Sequence, residues 1–201
     1  MRRWLTVLSL VLWPEAASAH GAVPGIEGFY QGLVHPFVEI GEVLAVIVIG
    51  FIIGRHDKAV RGNAWPAYLG ALILGMLAGL LVPRPEQISL VPWALGLVGG
   101  VIVAIHRKLP HRLLYAIAIT AGALAGLVAT PDGGEWRDIA FTAAGGLTGL
   151  LLALFYAIAA AIWIDRHRRW PWLQIGLRIL GSWIAAICVL MLALAIAPSG
   201  T

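Results

Sequence analysis

GIEGFYQGLVHPFVEIGEVLAVIVIGFIIGR, residues Gly25 to Arg55, is the stretch that decides the fold. Its second half is an apolar run with no charge after Glu42 until Arg55. Its first half carries His35, Glu39 and Glu42 where apolar residues would be cheaper. On a continuous helix these three fall at i, i+4 and i+7, within an arc of roughly 60° at about 100° per residue. Polar groups on one face near lipid depth read as a functional site. The rest of the chain is mostly apolar and reads as the scaffold that holds this face.

Composition fixes the class. Of the 201 residues, 60% are hydrophobic and 12% charged, a charge fraction about half that of a soluble domain. Several runs are long enough to cross a bilayer. A β-barrel would instead show short alternating segments. The expectation is an all-α, polytopic membrane helix bundle of six transmembrane helices after a cleaved signal peptide. The net charge of +4 comes from short loops between spans, so it is not a nucleic-acid signal. Cys188 is the single cysteine and lies in an apolar run, which allows no internal disulfide.

Working outward, Met1 to Ala19 has the pattern of a signal peptide. Arg2 and Arg3 are followed by the apolar Trp4 to Trp13, the breaker Pro14 and an Ala17-Ser18-Ala19 cleavage site. Residues 20–201 then form one transmembrane domain, beginning at His20. Pro36 suits a first helical position with His35 at the cap, so span one is expected over about Pro36–Gly54. The other five follow over about Ala64–Val82, Ile88–Ile105, Leu113–Ala129, Ile139–Ile164 and Leu173–Ala197. Loops one, three and five hold nine Lys or Arg, against Arg84 and Arg137 alone in loops two and four. The positive-inside rule puts the odd loops in the cytoplasm and both ends outside. That orientation suits a bacterial-type inner membrane and agrees with a cleaved leader. Gly75-x3-Gly79, Gly96-x3-Gly100, Gly122-x3-Gly126 and Gly145-x3-Gly149 mark faces for close helix approach.

His35, Glu39 and Glu42 admit two readings. An imidazole with two carboxylates suits a borderline divalent cation, whose arrival would offset the cost of burying negative charge. Alternatively, acidic residues in the first turns of a helix are favoured by its dipole, and the site is a hydrated helix start. His20 either merely follows the cleavage site or, by its α-amine and imidazole, completes an outer ion site together with Glu27. His56, His106, His111 and His167 lie in basic loops and are expected in solvent. Arg178 either snorkels to the interface or pairs with a carbonyl or carboxylate inside the bundle. Thr120, Thr142, Thr148, Tyr156 and Ser182 are the few polar groups expected deeper in the spans. Zinc-protease, phosphate-loop and dinucleotide patterns are missing, so no enzyme is expected and no cofactor is bound permanently.

Gly28, Phe29, Gly32, His35 and Pro36 match, as they stand, a Gly-Phe-x-x-Gly-x-x-His-Pro pattern. On them the N-terminal third resembles the HupE/UreJ family of hydrogenase and urease accessory membrane proteins. Arg178-Ile-Leu-Gly-Ser-Trp-Ile-Ala-Ala-Ile187 is similar to the family's last span. The resemblance implies a nickel or cobalt permease serving a metalloenzyme assembly system. Of the family's His-x5-Asp-His metal motif only His35 carries over directly. Gly41 stands at the Asp position and Glu42 at the final His position. The competing expectation is a non-transporting accessory or scaffold protein, working through its Gly-rich faces and basic loops on a partner or on a second copy of itself.

Overall fold

The computed structural model describes residues 27–131, 133–167 and 169–197, without the side chain of Glu86. Its seven α-helices are α1 (Phe29–Val38), α2 (Ile40–Gly54), α3 (Lys58–Leu81), α4 (Val91–Ile105), α5 (His111–Val128), α6 (Trp136–Arg166) and α7 (Pro171–Ile196). A short 3-10 turn, Glu86–Leu90, leads into α4. His20 and the stretch read as a signal peptide lie outside the described residues.

Helices α3, α5, α6, α7 and the segment Gln87–Ile105 are each long and apolar enough to cross a membrane. Within these spans only 22% to 39% of the residues are buried inside the bundle. Leu74, Leu81, Phe155, Trp183 and Ile196 all point outward. So much exposed apolar surface has no counterpart in a water-soluble monomer. Lipid is the solvent for this fold, and the backbone groups of each span are satisfied within its own helix.

The first span departs from expectation. Helix α1 begins at Phe29, seven residues before Pro36, which lies inside the helix rather than at its start. The chain then breaks at Glu39 (φ −81°, ψ 88°), and α1 and α2 meet at a bend of 79°. Proline supplies no amide donor to the carbonyl four residues back and crowds the preceding turn, so the ladder is already weakened where the break falls. At about 1.5 Å per residue the 15 residues of α2 reach only about 22 Å, short of the hydrocarbon core. Together α1 and α2 have the length and composition of one broken span or of a re-entrant loop, giving six crossings in the first case and five in the second.

Small residues set the packing. A Cβ on Gly32 would lie 2.8 Å from the Gly146 nitrogen and closer still to the Thr142 carbonyl oxygen, so α1 and α6 touch backbone to backbone. Gly50 and Gly54 bring α2 onto Ala157 and Ala161 farther along α6. Gly122 and Gly126 seat α5 on the α3 backbone at Tyr68 and Leu72. Gly100 and Gly181 do the same for α4 and α7. The four-residue glycine spacings thus sit at helix contacts, as expected in a medium where van der Waals fit drives association.

Loops one, three and five meet at one end of the bundle. The His56 imidazole lies between the carbonyl oxygens of Ile52 (2.8 Å from Nδ1) and Leu109 (3.1 Å from Nε2). Arg55 donates to the His106 carbonyl, and Lys108 pairs with Asp57 at 3.2 Å. Loops two and four meet at the other end, where Arg84 donates to the Thr130 carbonyl and the Thr130 hydroxyl to the Met76 carbonyl. His56 corrects an expectation: it is buried, at 5% exposure, because its ring clasps two loops instead of meeting water.

Candidate functional site

The break at Glu39 builds the site. Helix α2 restarts immediately, and Glu42 becomes an acidic residue in its first turn. The positive end of the α2 dipole therefore favours that carboxylate. The bend is close to a right angle, and His35, in the last turn of α1, still reaches Glu42. His35 Nε2 and Glu42 Oε1 are 3.6 Å apart. The two side chains differ sharply in setting: His35 is 48% exposed and Glu42 only 9%. The pair runs from open surface into the bundle.

Below it lies a cavity of about 10 Å³, room for a single water, walled by residues of α2, α4, α5 and α6. Glu42 is the one polar side chain in that wall, among Ala45, Val46, Leu95 and Leu150. Its second oxygen, Oε2, is buried with no hydrogen-bond partner among the described residues. A buried carboxylate oxygen left unmatched is costly, and such exceptions mark groups that meet something else during function.

Glu39 has another place than expected. It forms the hinge, its amide donating to the His35 carbonyl and its carbonyl accepting from the Glu42 amide. The three-residue helical face read from the sequence is therefore replaced by a bend, which brings His35 and Glu42 together by another route. Glu27 is exposed at the start of the described chain. Among the described residues no group of three or more His, Cys, Asp or Glu is gathered to hold a metal ion. His35 and Glu42 supply two donors.

Gly41 is buried beside the pair, and a Cβ there would come within 3.0 to 3.2 Å of the Trp93 indole. That space belongs to the ring of a residue from α4, so a larger side chain at 41 would have to displace it.

Tyr68 is the residue sequence reasoning missed. It is almost wholly buried, its hydroxyl has no hydrogen-bond partner among the described residues, and it lies within electrostatic reach of Glu42. The signal was present: Tyr68 is two turns before Gly75 and so shares the face that the glycines mark as inward. By contrast Thr120, Tyr156 and Ser182, expected in the interior, face outward. Arg178 is also exposed and sits at the far end of the bundle, where its Nε donates to the Ala104 carbonyl at 3.2 Å. A carbonyl rather than a carboxylate is its partner.

Glycine-packed spans, two converging sets of loops and a bent first crossing define the class, a multi-pass α-helical membrane protein. The chain belongs to the HupE/UreJ family: the family described as HupE / UreJ protein matches residues 8–191, nearly the whole chain. Proteins of this family are transporters or accessory factors, not enzymes. No curated protein and no solved structure matches the chain.

Proposed function

We propose that this protein is a divalent transition-metal permease of nickel or cobalt type. The observation that carries the reading is the pairing of exposed His35 with buried Glu42. Two donors about 2.1 Å from one ion lie about 3.0 Å apart at a right angle and about 3.4 Å apart at a tetrahedral one, so the 3.6 Å between these atoms closes onto an ion with a small movement of the exposed imidazole. An arriving cation would be met by the imidazole at the surface and passed to the carboxylate. Its remaining coordination positions would keep water, which suits cargo that must leave again. Glu42 faces into the bundle, as a permease requires.

Family membership supports transport at a coarser level. The finer reading adds an inner-membrane setting with both termini on the outer side, a cleaved leader over 1–19 and a single domain over 20–201. The ion would feed metalloenzyme assembly. Glu39, Glu27 and His20 are the candidates for further outer ligands. The site residues show no means of coupling to a nucleotide, so ions would move down or with a gradient.

One observation favours a second reading, an accessory protein that does not transport. The cavity beyond Glu42 has room for only about 10 Å³ and is apolar apart from that residue. A permease must therefore open a route past Ala45, Val46 and Leu150 that an accessory protein would not need. Uptake of radioactive nickel and cobalt by cells lacking their own importers separates the two. Wild type should accumulate one of the metals, and His35→Ala and Glu42→Gln should abolish the gain at equal protein level. Accumulation at background with well-expressed wild type would favour the accessory reading.

A further inference from the structure

A cleft of about 320 Å³ opens on the outer surface between α4 and α7, at the end of the bundle where the basic loops gather. Ala104, Ile175, Arg178, Ile179, Ser182 and Trp183 line it. Arg178 is seven residues into α7, so about 10 Å along the axis. Its Nε donates to the carbonyl of Ala104, one residue from the end of α4. The guanidinium is thereby pinned at the level where α4 ends, beside the negative pole of that helix. The loop that follows, with Arg107 and Lys108, and Arg112 at the start of α5 belong to the headgroup layer.

The pinning leaves two nitrogens to account for. Among the described residues Nη1 and Nη2 of Arg178 meet no hydrogen-bonding partner. Ser182 donates its proton to the Arg178 carbonyl, which leaves its hydroxyl oxygen facing the cleft. Everything else in the wall is apolar, and Ile175, Ile179 and Trp183 are largely exposed. At this level the guanidinium reaches the layer where lipid phosphates lie. Its fork matches a phosphate in bidentate fashion.

We infer that this cleft is a binding site for a phospholipid of net negative charge, whose phosphodiester is held by Nη1 and Nη2 of Arg178 while its acyl chains lie along Ile179 and Trp183. The mixed lining selects an amphiphile. A free phosphate would leave three large apolar side chains uncovered, and a neutral lipid would leave the guanidinium unmatched. The lining contains no carboxylate to meet a choline or ethanolamine ammonium, which favours a glycerol-type headgroup. The acidic groups at this end of the bundle stand outside the cleft wall: Asp165 of α6 acts on His106, and Asp57 pairs with Lys108. The site lies at the opposite end of the bundle from His35 and Glu42 and does not depend on their role.

The test uses the full chain purified in a mild non-ionic detergent, with bound lipid counted by native mass spectrometry during titration. Phosphatidylglycerol, phosphatidylcholine and diacylglycerol of equal chain length are compared, with inorganic phosphate as a further arm. Phosphatidylglycerol should saturate at one tight site, and the other three should not compete for it. Arg178→Gln should weaken that site at least about tenfold, and Arg178→Lys less. Ser182→Leu keeps the arginine and fills the cleft from an exposed position, so it should also lose the lipid even if Arg178→Gln folds poorly. Arg112→Gln, at the start of α5 and outside the cleft wall, should change affinity less than about twofold. Equal retention by wild type, Arg178→Gln and Ser182→Leu would overturn the site. So would equal affinity for phosphatidylcholine, or displacement of phosphatidylglycerol by inorganic phosphate, which would mark a simple anion site.

Discussion

Gly32→Ala tests the contact on which the bent first span depends. The added Cβ would sit 2.8 Å from the Gly146 nitrogen and nearer still to the Thr142 carbonyl oxygen. Ordinary contact needs about 3.4 Å or more, so α1 must retreat from α6 by at least about 0.6 Å. Both obstacles are backbone, which cannot swing aside as a side chain end would. Overpacking of this kind costs about 1–3 kcal/mol, and rigid neighbours put this case near the top of that range. For a chain of this length, about 2–3 kcal/mol lowers Tm by roughly 5–10 °C. Gly70→Ala supplies the opposite sign. Gly70 lies on the exposed face of α3 with nothing within 4 Å of a new Cβ. Replacing a helical glycine there should gain about 0.5–1 kcal/mol. Thermal unfolding of the two variants in one detergent, followed by tryptophan fluorescence, reads both shifts. The reasoning fails if Gly32→Ala melts at or above wild type, because α1 would then not lie against α6.

The bent span should also answer to other changes. His56→Ala leaves the Ile52 and Leu109 carbonyls facing a gap and should cost about 1–3 kcal/mol in the same assay; an unchanged Tm would remove the loop clasp from the account. His106 is partly buried beside Arg55 and Arg178, and burial first, then these cations, hold its imidazole below the ordinary value of 6.5. The unfolded chain then takes up a proton that the folded one refuses, so stability should fall as pH drops below about 6.5. His106→Gln should flatten that slope, and an equally steep slope in the variant would assign it to other groups. Cys188 is fully buried against Gly96; a maleimide should label it only after denaturation, and fast labelling of the folded protein would displace α7 from α4.

Much of the fold was legible. Five spans end within a few residues of the bounds read from hydropathy, except that α3 starts at Lys58, well before Ala64. Loop charge separated the two ends correctly as groups, because basic residues and tight turns alternate along the chain. The first span was misread because one proline has two meanings. At a helix start it is benign, and inside a helix it weakens the ladder. The helix has already begun at Phe29, and its early turns are held by tertiary contacts of Gly32 with α6 and of Gly145 with Phe29 and Leu33. The same ambiguity hid the hinge at Glu39.

At the site, His35 and Glu42 were visible as polar residues in a costly place, and their pairing survives a geometry the sequence did not suggest. Their depths did not follow from spacing. A straight helix makes both interfacial, whereas the bend leaves His35 at the surface and buries Glu42. His56 was misjudged for a related reason. A basic loop reads as solvated, but two backbone carbonyls from distant parts of the chain can enclose an imidazole, and backbone acceptors leave no mark in sequence.

Metal flux through the purified protein tests the central claim most directly. The chain is reconstituted into vesicles that trap a metal-quenched dye, and nickel or cobalt is added outside. Wild type should quench the dye faster than empty vesicles, with Glu42→Gln and His35→Ala reduced to the empty-vesicle rate at equal protein density and unchanged Tm. Quenching by Glu42→Gln at the wild-type rate would contradict the account, since ions would then cross without the one buried carboxylate that meets them.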